Sequence, residues 1–153
     1  MLPLLLTLSV AQASDDKEAR ESLRGIDTVK VVCDLSRRTE LLGITCQQIV
    51  TDVELQLRKA GIKVDSTKAG PFLYVNLNAQ DSGKGTYAVA LELSFEQLVR
   101  LDRAPTTKNM VPTWGIFPVV LTASHERYSE FCRQEIRDLA DQFANAYLSV
   151  NPK

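Results

Sequence analysis

This chain contains a single histidine, His125. That scarcity excludes the two-histidine zinc motifs, which need two imidazoles at fixed spacing, and "HERY" at 125–128 opens such a motif without completing it. A charge excess of either sign is missing as well. Lys and Arg number 18 against 19 Asp and Glu, a net charge of −1, and the two signs are interspersed. No basic stripe is present to hold nucleic acid or an anionic membrane surface. Also missing are internal repeats, low-complexity tracts and any Pro/Gly/Ser-rich break, so 153 residues with 44% hydrophobic and 24% charged positions read as one domain around one core. With one histidine and no completed ligand motif, no metal is expected, and no cofactor.

The chain begins "MLPLLLTLSVAQASDD", an apolar run from Leu2 to Val10 followed by Ala11-Gln12-Ala13. Small residues flanking one position are what signal peptidase cuts after, so residues 1–13 are predicted to be a signal peptide removed behind Ala13. Nine residues fall well short of the roughly 20 that span a hydrocarbon core, and no cysteine stands at the cut to carry a lipid. The expectation is an exported protein, periplasmic or extracellular, soluble and without stable membrane insertion. Residues 14–24, "SDDKEARESLR", are predicted to be a charged lead-in that frays rather than a solvated helix, with a single domain over 25–153.

Alternation of Val29, Val31, Cys33 and Leu35 against Lys30, Val32 and Asp34 predicts a half-buried strand. Thr45 and Gln48 stand in capping-box relation and open a helix. Cys46, Ile49, Val50, Val53, Leu57 and Ala60 form its apolar stripe, and Gly61 supplies its left-handed stop. "FLYVNLNA" (72–79) alternates again and is predicted to run parallel to the first strand through a right-handed crossover. "QDSGKG" is turn chemistry, "TYAVALELSFEQLVRL" a long returning strand, and "DRAPTTKNM" a loop. "VPTWGIFPVVLT" is a last strand that Pro118 makes an edge or bulged strand. A helix over 125–149 puts Tyr128, Cys132, Ile136, Leu139, Phe143 and Tyr147 on one face. The predicted fold is α+β: a two-layer sandwich in the order β-α-β-β-β-α, with both helices on one face of a mixed four-stranded sheet.

The combination of "DVELQLRKAGIKV", "LYVNLN", the Thr113-Trp114 pair and the ending "DQFANAYLSVNPK" resembles a family of small exported bacterial proteins that has no assigned activity. The resemblance covers most of the mature chain and implies export, with no catalytic residue to carry over. More loosely, the layer order resembles the amino-terminal domain of the Tol-system propeller protein, a likeness of fold that carries no function.

Catalytic constellations are thin. "SGKGT" at 82–86 lacks the spacing and the following helix of a phosphate loop and reads as a hairpin turn. Ser124 and His125 are adjacent, with no orienting acid in view, so Ser124 is expected to cap the last helix. Glu92 and Glu96 share one face of a strand and read as solvated positions. What remains is the sheet face carrying Tyr74, Asn76 and Asn78, which no predicted helix covers, and the strand around Trp114. There Trp114, Ile116 and Val120 alternate with Phe117, Val119 and Leu121, leaving both faces apolar. The expected function is a non-enzymatic binding or assembly module using Trp114, Tyr74, Asn76 and Asn78 to hold a protein partner or its own copy. The alternative is a small envelope enzyme, hydrolase-like, with acid and base drawn from distant loops. Three cysteines in an oxidising compartment suggest one disulfide and one thiol, and the expected pair is Cys46 with Cys132 across the two packed helices.

Overall fold

A computed structural model describes residues 14–152; the predicted signal peptide, 1–13, lies outside the described residues. The elements are α1 (Lys17–Glu21), β1 (Lys30–Leu35), α2 (Arg37–Leu41), α3 (Cys46–Lys59), β2 (Phe72–Gly83), β3 (Thr86–Leu101), β4 (Ala104–Ser124), a 3-10 turn (His125–Arg127) and α4 (Tyr128–Val150). The sheet runs β1-β2-β3-β4. β1 lies parallel to β2, with Val31 opposite Leu73 and Cys33 opposite Val75, and the other pairs are antiparallel. The predicted α+β sandwich with its parallel crossover is the fold observed, with two short helices added.

Local signals placed the main elements. Thr45 caps α3 with its side chain on the Gln48 amide, and Gln48 returns the bond to the Thr45 amide at 2.9 Å. Gly61, at φ 77°, takes the left-handed position that ends the helix. Ile62 to Val64 then turn back so that Val64 pairs with Val29 beside β1. Lys84 and Gly85 both adopt positive φ, the conformation that a two-residue hairpin requires. The core lies between one sheet face and the α3/α4 layer: Leu73, Val75 and Leu77 of β2 and Val89, Leu91, Leu93 and Phe95 of β3 meet Ile49, Val53 and Leu57 from α3 and the predicted stripe of α4. Phe143 lies at its centre, 5.6 Å from Phe95 and 5.1 Å from Trp114 by ring centroid.

Four expectations are corrected. The disulfide joins Cys33 to Cys46, not Cys46 to Cys132; their Cα atoms are 5.5 Å apart and Cys132 is a buried free thiol. The physical reason is chain geometry: ten residues after β1, the short α2 and its turn bring the start of α3 back over the end of the strand it left. Next, residues 14–24 do not fray. Leu23 is fully buried, Ala19 lies in the core, Asp15 pairs with Arg20, and the Ser14 carbonyl accepts from the Gly115 amide on the outer edge of β4, so the folded unit begins upstream of Gly25. The predicted loop at 102–110 is strand from Ala104 onward, with a turn only at Asp102-Arg103. Ser124 stands at the N-cap position of the 3-10 turn but makes no side-chain cap bond.

Two buried polar clusters tie the layers together. Asp52 of α3, 7% exposed, accepts two bonds from Arg133 and lies 3.4 Å from Arg137, so it joins α3 to α4 with a charge-assisted fork. At the other end, the fully buried Thr39 of α2 donates to the Leu77 carbonyl at 3.1 Å and shares a 3.2 Å bond with the Tyr128 hydroxyl. Tyr128 in turn bonds the Cys132 thiol. Burial pushes the Tyr128 hydroxyl up to about 12 and the Cys132 thiol up to about 11.

Both groups hold their proton more tightly in the folded chain than in the unfolded one. The stability they contribute is therefore complete below their ordinary values of 9.0 and 10.0 and is lost as pH rises through about 11 and 12. Melting followed from pH 8 upward should show a loss on the order of 2 kcal/mol across that window, and Tyr128→Phe should show a smaller one. The Cys132 thiol should react with a disulfide reagent only after unfolding. A native thiol as fast as the unfolded one would contradict this placement.

Candidate functional site

Among the described residues no helix covers the sheet face away from α3 and α4, and the residues predicted to line it divide into two groups. Tyr74, Asn76 and Asn78 lie on it as expected. The Asn78 amide donates to Asn76, the Asn76 amide donates to the Tyr74 hydroxyl at 3.0 Å, and that hydroxyl donates to the Asp34 carboxylate on β1 at 3.1 Å. Burial raises the Tyr74 hydroxyl above its ordinary value, and the negative charges of Asp34 and Glu92 add to this while the Asn76 bond opposes it. The result is a preset polar row across β1 and β2, ending on a carboxylate.

Trp114 does not join them. It is fully buried on the helix side, where its ring meets Phe143 edge-on and its indole nitrogen donates to Asp15 at 2.7 Å. Burial works to raise the Asp15 carboxyl, but the bonds from Arg20 and Trp114 outweigh it and hold the carboxyl below the usual aspartate value.

The cause of the misplacement is the phase of β4. Leu91 and Leu93 of β3 face Val119 and Ile116, and Phe95 and Glu96 face Trp114 and Pro112, so β4 carries an extra residue beside Pro118 and another at Thr113. Each bulge shifts the alternation by one. Trp114, Ile116, Val119 and Leu121 thereby come to one side, the core side, while Val120 turns to the open face at 72% exposure. Residues assigned to opposite faces in the sequence, Trp114 and Ile116 against Val119 and Leu121, thus share one face.

The open face also holds a feature that sequence reasoning missed. Ala88 and Ala90 of β3 floor a depression of about 440 Å³ whose other lining residues include Asn78, Gln80 and Val120. The signal was available: two alanines at i and i+2, paired across the sheet with Gln80 and Asn78 on one side and Thr122 and Val120 on the other, leave a dent wherever their neighbours are larger. None of the described lining residues is an acid, a base or a nucleophile. Glu92 lies opposite Asn76 and Glu96 accepts from Ser94 at 2.9 Å, both outside the depression. Among the described residues, no three His, Cys, Asp or Glu side chains converge on a possible metal position.

No protein-family model and no curated protein matches the chain, so the family resemblance gains nothing from those comparisons. Among solved structures, the chain is similar to a minor lipoprotein from Acinetobacter baumannii at 17% identity and a TM-score of 0.40, over 80% of this chain and 92% of that one. It is also similar to a Caulobacter crescentus CB15 protein described as a lipoprotein, at 15% identity and a TM-score of 0.30, over 89% of this chain and 96% of that one. Likeness at this level transfers no ligand and no residue role. No helix among the described residues is long and apolar enough to cross a membrane.

Proposed function

We propose that this chain is an exported binding module that takes hold of a protein partner through the open face of its sheet. The observation that carries the reading is the depression over Ala88 and Ala90, walled by Val120, beside the preset row from Asn78 to Asp34. An apolar dent flanked by fixed amides and a carboxylate offers packing and orientation together, and none of its lining groups can move a proton or attack a bond. The Cys33–Cys46 disulfide fits an oxidising compartment, as does the apolar leader ahead of Ser14.

The outer edge of β4 is a poorer attachment point. Pro105, Pro112 and Pro118 remove amide donors along it, and Ser14 and Ser22 bond it near Thr113 and Gly115. Such an edge resists added strands.

A photo-crosslinking residue placed at Val120 in the native envelope should give an adduct. The same residue at Leu55, exposed on the outer side of α3, should give none. No adduct at Val120, or equal adducts at both, would remove the open face as the binding surface.

A further inference from the structure

β2 begins at Phe72, opposite Glu96 of β3. Beyond that point β3 and β4 continue alone, as a two-stranded ribbon with Leu98 opposite Met110 and Arg100 opposite Lys108, closed by the turn at Asp102-Arg103. Alternation places Leu98 and Arg100 on the same side as Glu96, the open-face side, and Met110 and Lys108 stand beside them. One flank of the ribbon thus carries an apolar pair, 56% and 45% exposed, followed by a cationic pair. Among the described residues, neither Arg100 nor Lys108 enters an ion pair. An isolated two-stranded ribbon is marginal in water, and this one exposes its largest apolar groups.

The order of groups restricts what covers it. The charged turn lies at the tip and the apolar pair further in, so a surface that swallowed the tip would bury Asp102 and Arg103 first. Cover must come from the side. It must also be acidic, because residues 97–111 hold Arg100, Arg103 and Lys108 against Asp102, a net charge of +2.

The open face of the same chain has that character. Asp34, Glu92 and Glu96 stand on it against Lys30, a net charge of −2, and next to them lies the 440 Å³ depression of Ala88, Ala90 and Val120. We infer that the surface covering the ribbon is the open face of a second copy of this chain. This inference rests on the open face being the binding surface. Each copy carries both halves of the match: a two-fold axis over β3 at Glu96 sets Arg100, four residues along the strand, opposite Glu92 of the other copy, four residues the other way. Such a contact closes at two copies. Opposite charge sets the register, and Leu98 and Met110 supply the apolar contact.

Sedimentation or light scattering across the micromolar range tests this on the processed protein. The wild type should be a dimer whose dissociation constant rises with salt. Arg100→Glu with Lys108→Glu should weaken it by about tenfold or more, and Glu92→Lys with Glu96→Lys should do the same. All four changes together should restore association. These side chains lie outside the core, so melting temperatures should stay near that of the wild type. The uncharged pair Arg100→Gln with Lys108→Gln serves if a reversed pair fails to fold. A wild-type monomer throughout, a dimer indifferent to salt and to both pairs, or a fourfold variant no more associated than the double variants would each overturn the second copy. The Val120 adduct separates the two readings: twice the chain mass supports the dimer, an adduct with another protein removes the second copy and leaves the open-face reading standing, and no adduct removes both.

Discussion

Trp114→Ala is expected to destabilise the domain by about 3 to 5 kcal/mol, the range for deleting a large aromatic from a packed core. The indole is fully buried, its ring meets Phe143 with centroids 5.1 Å apart, and its nitrogen donates to Asp15 at 2.7 Å. Truncation opens a cavity beside Phe143 and leaves Asp15 to Arg20 alone, so the lead-in loses one of its ties to β4 at the same time. The melting temperature should fall by roughly 10 °C or more for a domain of this size. Trp114→Phe, which keeps most of the ring volume and loses only the indole donor, should cost far less. Val120→Ala on the open face should leave the melting temperature almost unchanged. If Trp114→Ala folded with the wild-type melting temperature and lost only an interaction, Trp114 would belong to a binding surface after all and the packing described here would be wrong.

Opening the Cys33–Cys46 bridge should cost about 3 kcal/mol, because a link across a sequence separation of 13 restricts the unfolded chain by roughly that amount in the loop-entropy account. The bridge also ties the end of β1 to the first turn of α3, so its loss should loosen the α2 segment between them before the rest. Denaturant midpoints with and without reductant measure the first effect, and amide exchange over residues 36–45 measures the second. Cys33→Ala with Cys46→Ala should match the reduced protein, while Cys132→Ala should keep the bridge intact. A linked peptide containing Cys132 would overturn the pairing.

The legibility of this chain differs between its first half and its last strand. α3 could be read residue by residue, because a capping box, an apolar stripe and a terminal glycine are relations within one or two turns of backbone. β2 and β3 were equally open, since an unbroken period of two shows which side chains share a face. Of the proposed site, Tyr74, Asn76 and Asn78 were found for that reason. Val120 was placed with Trp114 and Trp114 on the surface, because Pro118 marks an edge or a bulge without showing how many residues of β4 oppose one residue of β3.

The sequence by itself determined the two layers, the parallel crossover, the caps of α3 and the apolar face of α4, all set by periodicity and by preferences of neighbouring residues. Only the tertiary structure decided the bulge at Thr113, the faces to which the bulge beside Pro118 turns its neighbours, the partner of Cys46 and the docking of Leu23 and Asp15 against the body. Each of these depends on where distant backbone segments meet. A side chain's face on a bulged strand depends on its neighbour's register, a disulfide on which two Cα atoms come within reach, and a charged lead-in on whether an indole waits to receive its carboxylate.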